Sequence, residues 1–416
     1  MIITFHNLNS NEDLTNTVDS IKVAENCGLA AAVSWCKTIR LDNLLNKMQQ
    51  IDLRKANALS ELEALTRSVE NLLESNRGGE KGIHGFIGER AQVYITNAWA
   101  LINGEVKPSV LIDDNGMVDY IERGINIQQK ACKANGFLGL DHIMDHKAKY
   151  PSFNGRYQIP KDFYEEFHRL ADMEKIDAGK LSRHEWNLWQ EVQRIKNANI
   201  EVEPMKVSYD EIQRDNIFDT IKKNQEEIQK EHNKNVQSAI SEHKPTMKAC
   251  IGTAAASSVI EGTLSGATVI IDKKIHGKSI KDYEKQDVKD IGLATAEGSV
   301  RGAVRGAAVY IAENCTPIPG IVVGSAVTVA WDSAKAAYKY NKGMATKEEC
   351  IDIVVSSLVK ATFGATGALI GGRICPIPIV GEVIGGFAFS LVSDKIYNYI
   401  KNKKKYVILD IKFQSS

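Results

Sequence analysis

Two copies of one pattern, sixty residues apart, constrain the second half of this chain more than any other feature. Cys315-Thr316-Pro317-Ile318-Pro319-Gly320 recurs as Cys375-Pro376-Ile377-Pro378-Ile379-Val380, and Asp272 and Asp332 keep the same interval. Each copy lies between a helix-forming stretch of small residues and an apolar stretch that follows it. A fixed period of this length marks a repeated supersecondary unit, here a helical hairpin used twice, followed by a final helix. Gly302 and Gly306, then Gly364, Ala368 and Gly372, fall four apart. Small residues at that spacing line one helix face, so a second helix can approach closely.

Small-residue helix faces are also how helices pack in lipid. The segment lengths argue against a simple span. Ile318–Trp331 is 14 residues long, Lys360 interrupts Ile351–Gly372, and Arg301 and Arg305 interrupt the helix before them, whereas a bilayer needs about 20 apolar residues. A tightly packed helical domain or an oligomerisation surface is expected, with conditional membrane insertion left open.

Upstream of Pro245 the character changes. From Leu14 to Leu73 apolar residues recur at helical spacing, as in Leu59, Leu62, Leu65, Val69 and Leu72, up to a stop at Asn76-Arg77-Gly78-Gly79. From Lys161 to Lys244 the chain is charged and helical, anchored by Trp186 and Trp189, the pattern of a solvated helix face or an arm. Lysines and arginines total 52, as do aspartates and glutamates, so global charge gives no argument for nucleic acid and any such contact must be local. The seven cysteines are scattered with no C-x-x-C pair, which disfavours a disulfide framework or zinc knuckle and suits a reducing cytosol. Met1–Leu14 has no basic region followed by a long apolar run, so the expected location is cytoplasmic.

Between these regions the periodicity shortens. Val110–Ile112, Val118–Ile121 and Ile125–Cys132 read as strands separated by Asp113-Asp114-Asn115-Gly116 and Arg123-Gly124 turns, with a helix before them (Gly85–Leu101) and another after (Leu138–Lys149). Alternation on the third strand puts Gln128 and Lys130 on one face, with Ile127 and Gln129 on the other. Asp119, on the neighbouring strand, can reach the same place. Asp, Gln and Lys on adjacent strands also arise on solvated sheet faces, so their order with a helical glutamate, Glu89, carries the argument.

In that order the residues from about Gly82 to Pro160 resemble the PD-(D/E)XK nuclease superfamily, the restriction-endonuclease-like fold, in its Gln-x-Lys variant. Val118 stands where the name-giving proline would be, and Gln128 where an acid would be. The resemblance implies that Glu89, Asp119 and Gln128 bind Mg2+ or Mn2+, Gln128 through its side-chain carbonyl, while Lys130 orients or activates the attacking water. These four are the expected catalytic residues. A hard cation suits such oxygen ligands, and a neutral Gln128 favours one metal over two.

His84, Lys147 and Lys149 are candidate substrate contacts, though each also fits a capping or solvated role. His142 and His146, four apart on one helix, could share zinc or simply form a polar surface.

The expected fold class is α+β and multi-domain. It comprises a helical N-terminal region (1–80), a small restriction-endonuclease-like α/β core (81–170), a charged helical arm (171–245) and a glycine/alanine-rich helical-hairpin domain (246–416). The expected function is a metal-dependent nuclease acting on DNA, with RNA as the other substrate, in a bacterial defence or toxin system. Its C-terminal module would serve assembly or activation, with a second copy or a defence-complex protein as partner. The alternative is a membrane-active or scaffold protein whose glycine-rich helices insert or oligomerise, the α/β unit only binding nucleic acid.

Overall fold

The computed structural model describes residues 11–75, 79–114, 116–133, 138–174, 180–375, 377, 380–393, 396–397 and 399. The amino-terminal end of the sequence, Asn76, Arg77 and Gly78 of the expected helix stop, Asn115 of the first turn, and Pro376, Pro378 and Ile379 of the second repeat copy lie outside the described residues. The chain forms two compact units, one of residues 1–43 and 243–416, the other of 44–242. Helix α1 (Asn11–Ser75) contributes to both. The architecture is mostly helical with one small mixed sheet.

The 44–242 unit carries the sheet. Helix α2 (Gly79–Ile102) precedes β1 (Ser109–Leu111), β2 (Tyr120–Glu122) and β3 (Ile125–Gln129), then come α3 (Asp141–Lys149), β4 (Arg156–Ile159), α4 (Lys161–Ala171), α5 (Arg183–Asn197), β5 (Val202–Pro204) and α6 (Ile217–Glu242). The strands lie in chain order, the first three antiparallel and β4 and β5 added in parallel. The β2–β3 turn places Arg123 at φ 50 and Gly124 at φ 79, the left-handed conformations that a tight hairpin demands. β3 stops at Gln129, sooner than the run to Cys132 suggested, and the backbone N–H of Lys130 makes the last ladder bond to β4, to Gln158 O (2.8 Å).

β5 falls inside a stretch that reads as charged and helical. Three residues ending in proline at a sheet edge carry little local signal, and only pairing with β4 makes them a strand. Both sheet faces are covered. On one, Val93 of α2 packs on Tyr120 and Ile127, while α2 itself packs on Leu62, Leu65 and Val69 of α1 and Ile221 and Ile228 of α6. On the other, Tyr157 and Ile159 of β4 pack against Ile143 of α3, Phe163 of α4 and Leu188 and Val192 of α5. A capping box between Ser182 and Glu185 starts α5.

The second unit contains α7 (Met247–Ile275), α8 (Lys285–Cys315), α9 (Gly320–Asn341), α10 (Lys347–Ile374) and a shorter helix, α11 (Val380–Ser393). The first repeat copy falls between α8 and α9 and the second between α10 and α11, so the sixty-residue period corresponds to successive helix pairs. The α7–α8 pair is built on small residues. A Cβ on Gly306 would sit 2.8 Å from both Thr253 O and Ser257 Cβ, and one on Gly298 2.7 Å from Glu261 O. Large apolar side chains point outward instead: Ile251, Val259, Leu293 and Val300 are all more than half exposed.

Candidate active site

β2 pairs with β3 as far as Tyr120 opposite Ile127, and just before it the Asp119 N–H donates to Ile127 O (2.9 Å), which holds the Asp119 side chain beside Gln128 and Gln129. Asp119 lies just before β2 and Lys130 just after β3, so both sit at the same end of the sheet. Asp119 Oδ2 accepts two hydrogen bonds, from Gln128 Nε2 (2.5 Å) and from the backbone N–H of Gln129 (2.6 Å). Gln128 is only 5% exposed, and its Oε1 has no hydrogen-bond partner among the described residues. A buried amide oxygen left so costs about 1–3 kcal/mol unless a donor or cation meets it.

Glu89 reaches this cluster from α2. Burial, reinforced by the charge of Asp119, pushes its pKa from 4.5 up to about 8, against the attraction of Arg90 and Lys130. Burial also raises Asp119, while the Gln129 N–H, Lys130 and the Gln128 amide oppose the rise. Two donors hold charge on Asp119, whereas Glu89 has Arg90 Nη1 only at 3.9 Å. Of the two, Glu89 is therefore the one that keeps a proton near neutrality.

Arg90 fixes the surroundings. Its Nη2 donates to Asp113 Oδ2 (2.9 Å) and its Nε to Ser68 Oγ (3.0 Å), tying the β1–β2 loop and α1 to α2. Gly88 lets β3 approach α2: a Cβ there would lie 2.5 Å from Gln129 Nε2, which donates to Gly85 O (3.2 Å). The alternation is thus complete, with Gln128 facing Asp119 and Gln129 facing α2.

The other expected contacts are arranged differently. His84 meets the Tyr209 ring edge-on at 5.3 Å, and burial lowers its pKa, so it sits as a neutral packing group. Lys147 Nζ donates to Phe153 O (2.6 Å), which engages it within its own unit. Lys149 is exposed, its Nζ 5.0 Å from the centre of the Tyr150 ring. His142 and His146 do not converge. His142 is exposed, with Asp145 its nearest acid at 3.9 Å, whereas His146 is buried with Nδ1 2.9 Å from Tyr157 Oη and with the Tyr150, Phe153 and Tyr157 rings around it.

Sequence reasoning missed Tyr157, and it paired His146 with His142 instead. Tyr157 pairs with Gln128 across β3–β4. Burial, followed by the charges of Lys130 and Lys149, lowers His146 to about 4. Their only sequence signal was an aromatic cluster, Tyr150, Phe153 and Tyr157, next to the histidine pair. On the opposite sheet face lies a second buried network. Tyr120 Oη donates to Gln158 Oε1 (2.5 Å), and Gln92 Nε2 donates to Glu122 Oε2 (3.3 Å).

Among the described residues no group of three or more His, Cys, Asp or Glu is placed to hold a metal. The donor set at this site is of another composition, two carboxylates and one partnerless amide oxygen. Such oxygens fit a hard divalent cation, and the buried Gln128 Oε1 is the atom it would satisfy. Compared with family models, curated proteins and solved structures, the chain finds no match in any of the three.

Proposed function

We propose that the sheet-bearing unit is a metal-dependent phosphodiesterase that cleaves nucleic acid, DNA foremost, as the PD-(D/E)XK resemblance implies. The observation that carries this reading is Gln128, buried with its amide nitrogen on Asp119 and its carbonyl oxygen without a partner among the described residues; Asp119 in turn acts on Glu89, which gives up its proton only with difficulty. Further support comes from the element order: a helix, an antiparallel three-strand meander, a helix, then a parallel strand.

Glu89, Asp119 and Gln128 would hold Mg2+ or Mn2+. The bound ion would supply a water of lowered pKa and stabilise charge building on the phosphoryl oxygens. Asp119 is held in place by the Gln129 N–H and the Gln128 amide, so its carboxylate need not reorganise. Lys130, half-buried at the end of β3 and close enough to act on both acids, places an ammonium where it can hold the attacking water or the charged phosphate. The hydrogen bond between Lys130 N–H and Gln158 O fixes that position.

The experiment is Mg2+-dependent cleavage of plasmid and single-stranded substrates by the full chain, with Asp119→Ala and Lys130→Ala variants and Mn2+ titration calorimetry alongside. Cleavage should fall at least about 100-fold in each variant, and Mn2+ binding should be lost in Asp119→Ala alone. Equal cleavage by all three proteins, or none by the wild type, rejects the site.

The helical unit favours a second, compatible reading as a lipid-facing or self-associating module. Its hairpin turns small residues inward and Ile251, Val259, Leu293 and Val300 outward. Two helical stretches, within Ile217–Ile275 and Lys347–Ile374, are long and apolar enough to cross a membrane, with 22% of each apolar window buried. Liposome flotation tests it: a chain that stays with the soluble fraction and sediments as a monomer rules it out. The wider setting, a DNA-cleaving effector of a defence or toxin system, rests on the combination of these two units.

A further inference from the structure

A cavity of about 620 Å³ opens inside the helical unit, between α1, α8, α9 and α10. Its size is that of small-molecule sites, which run to about 300–1,000 Å³. Four cationic side chains line it from three helices: Arg301 and Arg305, one turn apart on α8, Lys339 near the end of α9, and Lys360 in the middle of α10. Two carboxylates, Asp332 and Asp352, also line it, and Glu25 and Glu261 lie against the two arginines, so the wall is mixed in charge with its cations spread over three helices. Hydroxyls of Ser325, Thr328, Ser356 and Ser357 fill the spaces between the charges, Ser357 Oγ donating to Asp332 Oδ2 (2.6 Å).

The deepest of these groups is the most informative. Arg305 is 2% exposed. Its Nη2 is 2.9 Å from Glu25 Oε1 and 3.0 Å from Glu261 Oε2, yet its Nε has no partner among the described residues. Arg301 is held by the other Glu261 oxygen and has Asp332 at 3.9 Å. A buried ion network of this kind is often less stabilising than the apolar packing that could replace it. Here it interrupts an interface built mainly on small residues, and it opens onto a cavity.

We propose that this cavity binds a phosphorylated small molecule of nucleotide size, its phosphate held by Arg301, Arg305, Lys339 and Lys360 and its remaining polar edge by the α9 and α10 hydroxyls. Guanidinium groups take phosphate oxygens in a fork, ammonium groups as point charges, and hydroxyls donate to the oxygens left over. Lys339 and Lys360 are half-buried, so their charges act in a setting where water screens them less than on an open surface. Val23, Ile353 and Ala361 give the cavity an apolar side against which a base or an acyl chain could lie.

The test is calorimetric titration of the full chain, in chelator so that the metal-binding acids of the other unit take no part. The probes are ATP, AMP, adenosine, inorganic phosphate, and phosphatidylcholine vesicles with and without phosphatidic acid. ATP or AMP should bind, adenosine should not, and inorganic phosphate should compete. Binding confined to phosphatidic acid vesicles assigns the same phosphate chemistry to a lipid headgroup. Lys339→Ala combined with Lys360→Ala should weaken binding at least about tenfold. Ser356→Asp, which adds a negative charge to the wall without removing a cation, should do the same. No binding of any phosphate-bearing probe, or unchanged binding in both variants with circular dichroism intact, overturns the proposal.

Discussion

Replacing Glu89 by Gln should make the protein more stable in alkali than the wild type, although it removes a charged group that lies near Arg90. Glu89 titrates near 4.5 when unfolded and at about 8 in the fold. Between those values the folded chain binds the extra proton, so stability falls as pH rises through the window. At about 1.4 kcal/mol per pH unit, the interval sets a ceiling of about 5 kcal/mol. Arg90 relaxes toward a charged Glu89, which brings the working figure to about 2–4 kcal/mol, or several degrees in Tm for a unit of this size.

The neutral amide of the Glu89→Gln variant cannot ionise and so escapes this loss. The assay is thermal unfolding of both proteins in chelator at intervals from pH 5 to 8.5. The curves should nearly coincide at pH 5 and diverge steadily above it. Adding Mn2+ at pH 8.5 should then raise the wild-type Tm more than that of the variant, since only the wild type offers a second carboxylate. Parallel pH profiles would refute the burial argument. Equal Mn2+ shifts would refute the place of Glu89 in the donor set.

Four further outcomes follow from the packing. Gly306→Ala should destabilise the helical unit by about 1–3 kcal/mol, because the new Cβ meets backbone and Cβ atoms of α7 at 2.8 Å. Gly292→Ala, with nothing within 4 Å, should stabilise α8 by up to about 1 kcal/mol; the two Tm shifts should have opposite signs. Arg305→Met should cost about 3–5 kcal/mol by leaving Glu25 without its cation and Glu261 with Arg301 alone, read from thermal unfolding followed by circular dichroism. Tyr157→Phe should cost about 1–3 kcal/mol in urea unfolding, since it leaves His146 Nδ1 buried without its hydroxyl partner.

The helices of the C-terminal repeat, the three-strand meander and the shared face of Gln128 and Lys130 follow from local pattern alone, because periods near four and of two are set by the backbone of each element. The meeting of the Asp119 and Gln128 side chains follows almost as directly, from the length of the turn at Arg123 and Gly124. Other features depend on neighbours distant in sequence. Short strands such as Val202–Pro204 exist only because β4 supplies hydrogen-bond partners, and nothing in a valine, a glutamate and a proline announces that. His146 and Lys147 looked alike as polar helix residues, yet one is sealed among aromatic rings and the other donates to a loop carbonyl.

The same division holds at the candidate site and in the cavity. Sequence named Glu89, but only the packing of α2 on the sheet removes it from water beside Asp119 and so makes it an acid that holds its proton to about 8. It named Arg301 and Arg305 as interruptions of an apolar helix, and burial turned them into the wall of a cavity. Residue type and spacing determine what a side chain can do, while desolvation by residues far along the chain decides which charge it carries and what it faces.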